Sequence, residues 1–174
     1  MTKLKKNLRA LPLAALCLLV LGGAAALAQR QLKNAVTGRP EVKVVLAGTV
    51  SREQQKLPLE KAAVVNPGEV LDWTITSEND GNAPANDYKT VGQIPKGTVL
   101  IAGSATSDGT ASVVYSIDNG KTFNAQPTIE EKQADGTVKM VPAPVSMYTQ
   151  LRYEWSDPLA SGGKLQASYK VRVK

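Results

Sequence analysis

The amino-acid sequence predicts an all-β fold, an antiparallel β-sandwich of about seven to nine strands. Three observations carry that expectation. From residue 41 onward, apolar residues recur at every second position, the period at which strand side chains return to one face. The segments are short and are separated by clusters of Asn, Asp, Gly and Pro, the residues that build turns. No stretch in that region repeats its apolar residues at helical spacing.

The chain begins differently. Lys3, Lys5, Lys6 and Arg9 form a basic start, and an apolar run from Ala10 to Leu21 follows. Ala26-Leu27-Ala28 then supplies the small-x-small pattern of a cleavage site. Residues 1–28 are expected to be a signal peptide, cut before Gln29, that exports the protein to the periplasm, the cell surface or the medium. A membrane anchor would need about 20 apolar residues, and this run is broken by Pro12 and Gly22-Gly23. Acylation at Cys17 is disfavoured because Leu16 stands where a small residue is wanted. Removing the leader takes away the single cysteine, so no disulfide is expected in the mature chain.

Residues 29–40 are polar and mixed, and read as a flexible lead-in to one domain at 41–174. Val42, Val44 and Leu46 open the first strand, which runs to about Val50. The charged stretch Ser51–Lys61 contains Pro58 and reads as a loop or one short helical turn. Asn66-Pro67-Gly68 is a turn. Leu71, Trp73 and Ile75 then share one face of a central strand, opposite Asp72, Thr74 and Thr76. It ends in the turn-forming run Glu78-Asn79-Asp80-Gly81-Asn82. Asn86–Ile94 and Thr98–Ile101 follow as strands, with Pro95-Lys96-Gly97 between them. Val113, Tyr115 and Ile117 lead into the tight turn Asp118-Asn119-Gly120-Lys121. The region 127–144, with Glu130-Glu131 and prolines flanking Ala143, is the least regular. Leu151, Tyr153 and Trp155 mark a further strand. After Ser161-Gly162-Gly163, Leu165, Ala167, Tyr169, Val171 and Val173 alternate with polar residues to the end.

Charge excludes one class of function. The chain carries 21 Lys and Arg against 15 Asp and Glu, a balance of +6. Four of those bases lie in the leader, leaving 17 against 15, or +2, scattered among acids rather than gathered in a stripe. Nucleic acid is not an expected partner.

Several segments, taken in order, resemble a known family. Asn66-Pro67-Gly68-Glu69-Val70-Leu71-Asp72-Trp73-Thr74-Ile75-Thr76 is similar to the opening of the bacterial surface repeat called "domain of unknown function 11". Asn79-Asp80-Gly81 and Pro95-Lys96-Gly97-Thr98 match its later turns. The Tyr115–Phe123 hairpin, and the ending from Leu151 through Ser161-Gly162-Gly163 to the last strand, also look like its members. The resemblance covers roughly residues 41–174, in a single copy where the family often has tandem repeats. It implies an immunoglobulin-like sandwich in an exported, envelope or surface protein, with no defined activity and no catalytic residues.

The chemistry available is narrow. The sequence has no histidine, which with no mature cysteine removes Ser-His-Asp and Cys-His catalysis and the usual zinc and copper sites. Glu130-Glu131 as a carboxylate pair and Ser161 with Lys164 as a serine-lysine pair are the remaining enzyme arrangements. Solvated charges and a glycine turn explain them without chemistry, and the protein is expected not to be an enzyme and to need no cofactor. Glu78, Asp80, Asn82 and Asp87, together with Asn79, gather oxygen donors of the kind calcium takes. Asp118 with Asn119 makes a second such tip. These are also ordinary turn residues. Trp73, Trp155 and Tyr148 would serve a glycan or small ligand if they lined an open groove, although their alternation with aliphatics suits a core. Lys170, Arg172 and Lys174 form the polar face of the last strand. That pattern fits a charged, protected sheet edge, or an edge that accepts a partner's strand, as the first strand also could. The expected role is structural or adhesive, with another envelope or surface protein, or a second copy, as partner. A glycan- or small-ligand-binding protein is the alternative.

Overall fold

The alternation at Leu71–Ile75, Leu151–Trp155 and Leu165–Val173 is that of strands with one face against a core, and in the structure each of these segments is a strand. A computed structural model describes residues 38–52 and 55–174. The expected signal peptide, Cys17 and nearly all of the expected lead-in lie outside the described residues.

Among the described residues, eleven strands follow in chain order: β1 (Val42–Arg52), β2 (Gln55–Pro58), β3 (Val70–Asn79), β4 (Lys89–Gln93), β5 (Thr98–Leu100), β6 (Thr106–Ser107), β7 (Ala111–Ser116), β8 (Thr128–Lys132), β9 (Val138–Pro142), β10 (Gln150–Trp155) and β11 (Lys164–Val173). Single 3-10 turns occupy Leu59–Lys61 and Val145–Met147, and there is no α-helix among the described residues. The protein is all-β, and every pairing is antiparallel. The first sheet runs β2-β1-β3-β11-β5, with β6 also on β11; the second runs β4-β10-β7; β8 and β9 form a two-stranded sheet of their own.

Hydrophobic burial holds the two larger sheets together. Leu71 and Ile75 of β3 and Ala167, Tyr169 and Val171 of β11 share one cluster with Leu151, Tyr153 and Trp155 of β10. Two buried phenols find acceptors across the interior. The Tyr153 hydroxyl donates to the Ser168 carbonyl at 2.6 Å, and the Tyr169 hydroxyl to the Gln93 carbonyl at 2.5 Å. Burial pushes both phenols well above the usual tyrosine range. Gly92 of β4 lies directly against Tyr169: a Cβ there would stand 2.5 Å from Cε1 of that ring and 3.1 Å from Leu151.

Three expectations are corrected. Region 127–144 is a regular hairpin, β8 and β9, joined through Asp135-Gly136, where Asp135 accepts from the Thr137 N–H and hydroxyl. Its composition of charges and prolines hid two strands that carry no buried face. The stretch after Ser51 contains a further pairing element, β2, before its 3-10 turn. The last strand, whose Lys170, Arg172 and Lys174 read as an edge, is interior to its sheet. It pairs β3 on one side and β5 and β6 on the other, and between those two the Ser104 side chain and the Ile101 N–H satisfy Lys170. Alternation reports that one face is exposed; it does not report whether neighbours flank the strand.

This packing can be tested at two points. Gly92→Ala presses a methyl into the Tyr169 ring and should lower stability by about 1–3 kcal/mol, the usual cost of overpacking, measured by urea unfolding. Glu69 accepts a hydrogen bond from the Arg52 guanidinium at 2.8 Å and another from the Asn66 N–H at 2.7 Å. These hold its carboxyl at about 2, below its ordinary 4.5. Its contribution is therefore present above 4.5 and is lost as pH falls toward 2. The melting temperatures of the native protein and Glu69→Gln should differ near neutral pH and converge as pH approaches about 2.

Candidate functional site

Sheet edges are where an all-β protein leaves backbone donors and acceptors unpaired, and the edges here differ in length and protection. β4 and β5 are short, with five and three residues. β1 is 11 residues long. It pairs β3 along Val42–Val50 on one side, but β2 covers only Thr49–Arg52 on the other. Among the described residues, its outer side therefore has no strand partner from Val42 to Gly48.

The register fixes which groups face outward. The Asp80 N–H donates to the Glu41 carbonyl and the Asn82 N–H to the Arg39 carbonyl. Hydrogen-bonded positions alternate along an antiparallel pair, so odd-numbered residues face β3. The backbone groups of Val42, Val44, Leu46 and Gly48 point away from the sheet, as does the Pro40 carbonyl. Pro40 brings no N–H.

This edge is apolar as well as open. Val44, Val45 and Leu46 are 52, 55 and 49% exposed. Val44 and Leu46 stand in register with Ser77 and Ile75, which are both buried on the core face of β3. One strand further out, that face is uncovered. The sequence alternation at Val42, Val44 and Leu46 is real, but the strand extends beyond the cover that buries its neighbour. From Val42 to Gly48, Lys43 is the single charge, opposite Glu78 of β3.

A buried asparagine anchors the start of this strand. Asn79, 0% exposed at the end of β3, accepts at Oδ1 from the N–H groups of Glu41 and Gly81. Its Nδ2 donates to the carbonyls of Ala83 and Leu159, at 2.8 and 3.0 Å. Asn82 adds a bond from the Arg39 N–H at 2.8 Å. Arg39 and Pro40, expected within the lead-in, are thus already held against the loop after β3.

The same contacts explain the loop that suggested calcium. Asn79 and Asn82 spend their oxygens on backbone N–H groups, while Glu78, Asp80 and Asp87 are exposed on separate backbone positions. Among the described residues, no group of three or more acidic side chains is gathered as a metal would require. At the second tip, Asp118 accepts from the Ser116 and Thr122 hydroxyls and the Thr122 N–H. Those bonds, led by the Thr122 hydroxyl, hold its carboxyl well below the usual range. Asn119 and Gly120 take φ of +60 and +85, as a tight hairpin turn demands.

The other sequence candidates are dispersed. Glu130 and Glu131 are consecutive in β8, so their side chains leave opposite faces. The Ser161 hydroxyl donates to the Gly81 carbonyl at 2.6 Å, a loop contact rather than a link to Lys164. Trp155 is buried, with its indole N–H on the Asp108 carbonyl at 2.8 Å. Tyr148 stacks on Tyr115 at 4.9 Å, and Trp73 is half-buried under Gly48 and Leu59. The three rings do not share one groove. Lys170, Arg172 and Lys174 project from the outer face of the first sheet. No helix among the described residues is long and apolar enough to cross a membrane.

Comparison of the chain with protein-family models, with curated proteins and with solved structures finds no match.

Asn79 gives the test of how this edge is built. Asn79→Ala takes the side-chain partner from the Ala83 carbonyl and from the Glu41 and Gly81 N–H groups, leaves the Leu159 carbonyl with the Ala85 N–H alone, and should cost on the order of 3 kcal/mol, read from chemical unfolding. Hydrogen exchange should show the Glu41 and Gly81 amides losing protection first.

Proposed function

We propose that this chain is an exported, non-catalytic module of the cell envelope or cell surface, with a structural or adhesive role exercised through protein contacts. The fold that suits this role is the immunoglobulin-like sandwich implied by the resemblance to the "domain of unknown function 11" repeats. The observation that carries the proposal is the open edge of β1. An unpaired strand that is long and apolar invites another strand, because the incoming backbone satisfies the free donors and acceptors while its side chains cover Val44, Val45 and Leu46.

The chemistry agrees with a binding role. The sequence offers no histidine; the carboxylates of Glu130 and Glu131 leave opposite faces of β8, and the Ser161 hydroxyl is bonded to the Gly81 carbonyl rather than to Lys164. The glycan-binding alternative gains nothing from its three aromatic rings. Export rests on the basic, apolar and small-x-small order of residues 1–28.

A photoreactive amino acid at Val45 tests the proposal in the producing cells. Adducts at Val45 with an envelope protein or with a second copy are expected. The same probe at Ala134, on the exposed tip of the β8–β9 hairpin, should give none. A stable, exported protein that forms no adduct at Val45 would defeat the assignment of β1 as the contact strand.

A further inference from the structure

We infer that the β1 edge pairs with the β1 edge of a second copy, antiparallel about a two-fold axis at Val42. The inference rests on the assignment of β1 as the contact strand and names its occupant. Parity allows self-pairing. In a two-fold antiparallel pair each residue meets one of the same parity, so the outward groups of Pro40, Val42 and Val44 meet outward groups of the second copy.

Charge and obstruction then select the axis. Centred on Glu41 or on Lys43, the pair would set like charges directly opposite each other, which is unfavourable. Centred on Val44, it would carry Arg39 of the second copy to the level of Thr49, where Pro58 of β2 already lies. Arg39 is not free to swing aside, being bonded through both backbone groups to Asn82. Axes further along β1 drive the second copy deeper into β2. Among the described residues, the axis at Val42 avoids both faults.

That register is also complementary. It sets Glu41 against Lys43 of the second copy, twice over. Glu41 has use for a cation, since across β3 its neighbour in register is Asp80, another acid. Val42 meets Val42 of the second copy, and the Val44 N–H meets the Pro40 carbonyl. The missing Pro40 N–H falls near the end of the shared stretch, where it costs least. Strand addition in this form would extend each six-stranded sheet into one running through both molecules.

The test is a charge exchange read by sedimentation equilibrium. Lys43→Glu alone and Glu41→Lys alone should each weaken the dimer roughly ten-fold, from two lost attractions and two like-charge contacts. The double variant should recover the native association. Lys43 also faces Glu78 in its own sheet, so a covalent readout keeps folding effects apart. In a Cys17→Ser background, Val42→Cys should give a disulfide-linked dimer under mild oxidation, since facing residues of a hydrogen-bonded antiparallel pair sit about 5.5 Å apart, within disulfide range. A folded protein that stays monomeric overturns the inference. So does a dimer that ignores the charge exchange and shows no disulfide in the Val42→Cys variant. Val45 adducts to an envelope protein alongside a monomeric purified chain would overturn self-pairing alone and leave the contact strand in place.

Discussion

Tyr169, fully buried in the middle of β11, reaches across the interior to the Gln93 carbonyl, and Tyr153 of β10 reaches back to the Ser168 carbonyl. A phenol is long, flat and stiff, so a pair anchored at both ends fixes the separation and the lateral offset of the two sheets together. Gly92 permits the contact by leaving room for the Tyr169 ring. With the three-stranded sheet held in that position, β3 and β11 are buried on its side, and β1 shares the core only at Val50, its stretch at Val44 and Leu46 being left beyond the cover. The exposed row at Val44 and Leu46 is therefore a result of core geometry: a wide sheet is locked against a narrow one.

The open edge would be of little use if it frayed. Asn79 prevents that by joining three segments distant in sequence: the entry to β1, the loop after β3 and the loop before β11. A side-chain amide suits this position because it offers an acceptor and a two-proton donor at once. All of its bonds are made to backbone groups, so the residue holds chain paths rather than side chains. Its neighbours Asp80 and Asn82 lie along the same rim, which gives the loop its oxygen-rich composition.

Much of the fold was legible because burial on one face writes itself into period two. β3, β10 and β11 show it plainly, and the Asp118-Asn119-Gly120 turn was readable from residue type alone. The failures have physical causes. β8 and β9 bury almost nothing, so no alternation marks them. β11 carries charges on its outer face, and charges on a face look the same in sequence as charges at an edge. For β1 the apolar period was present but its meaning was not, because coverage depends on the offset between sheets and hence on Tyr153 and Tyr169, about 100 residues away in the chain. Asn79 read as a turn former, and nothing in its local sequence distinguishes a pivot from a bend.

The placement of β11 also bears on how the molecule acquires its shape. The strand that fills the middle of the wide sheet is the last in order, and it inserts between β3 and β5, elements made much earlier. Val70 finds its partner Arg172 only after about 100 residues have intervened. Until then β3 has a vacant flank, and the tyrosine that spaces the sheets is missing. Assembly of this kind is governed by late, non-local pairing and proceeds slowly relative to a hairpin. A chain delivered from one end would expose two apolar edges before it is finished, and would keep only one of them, at β1, once the last strand arrives.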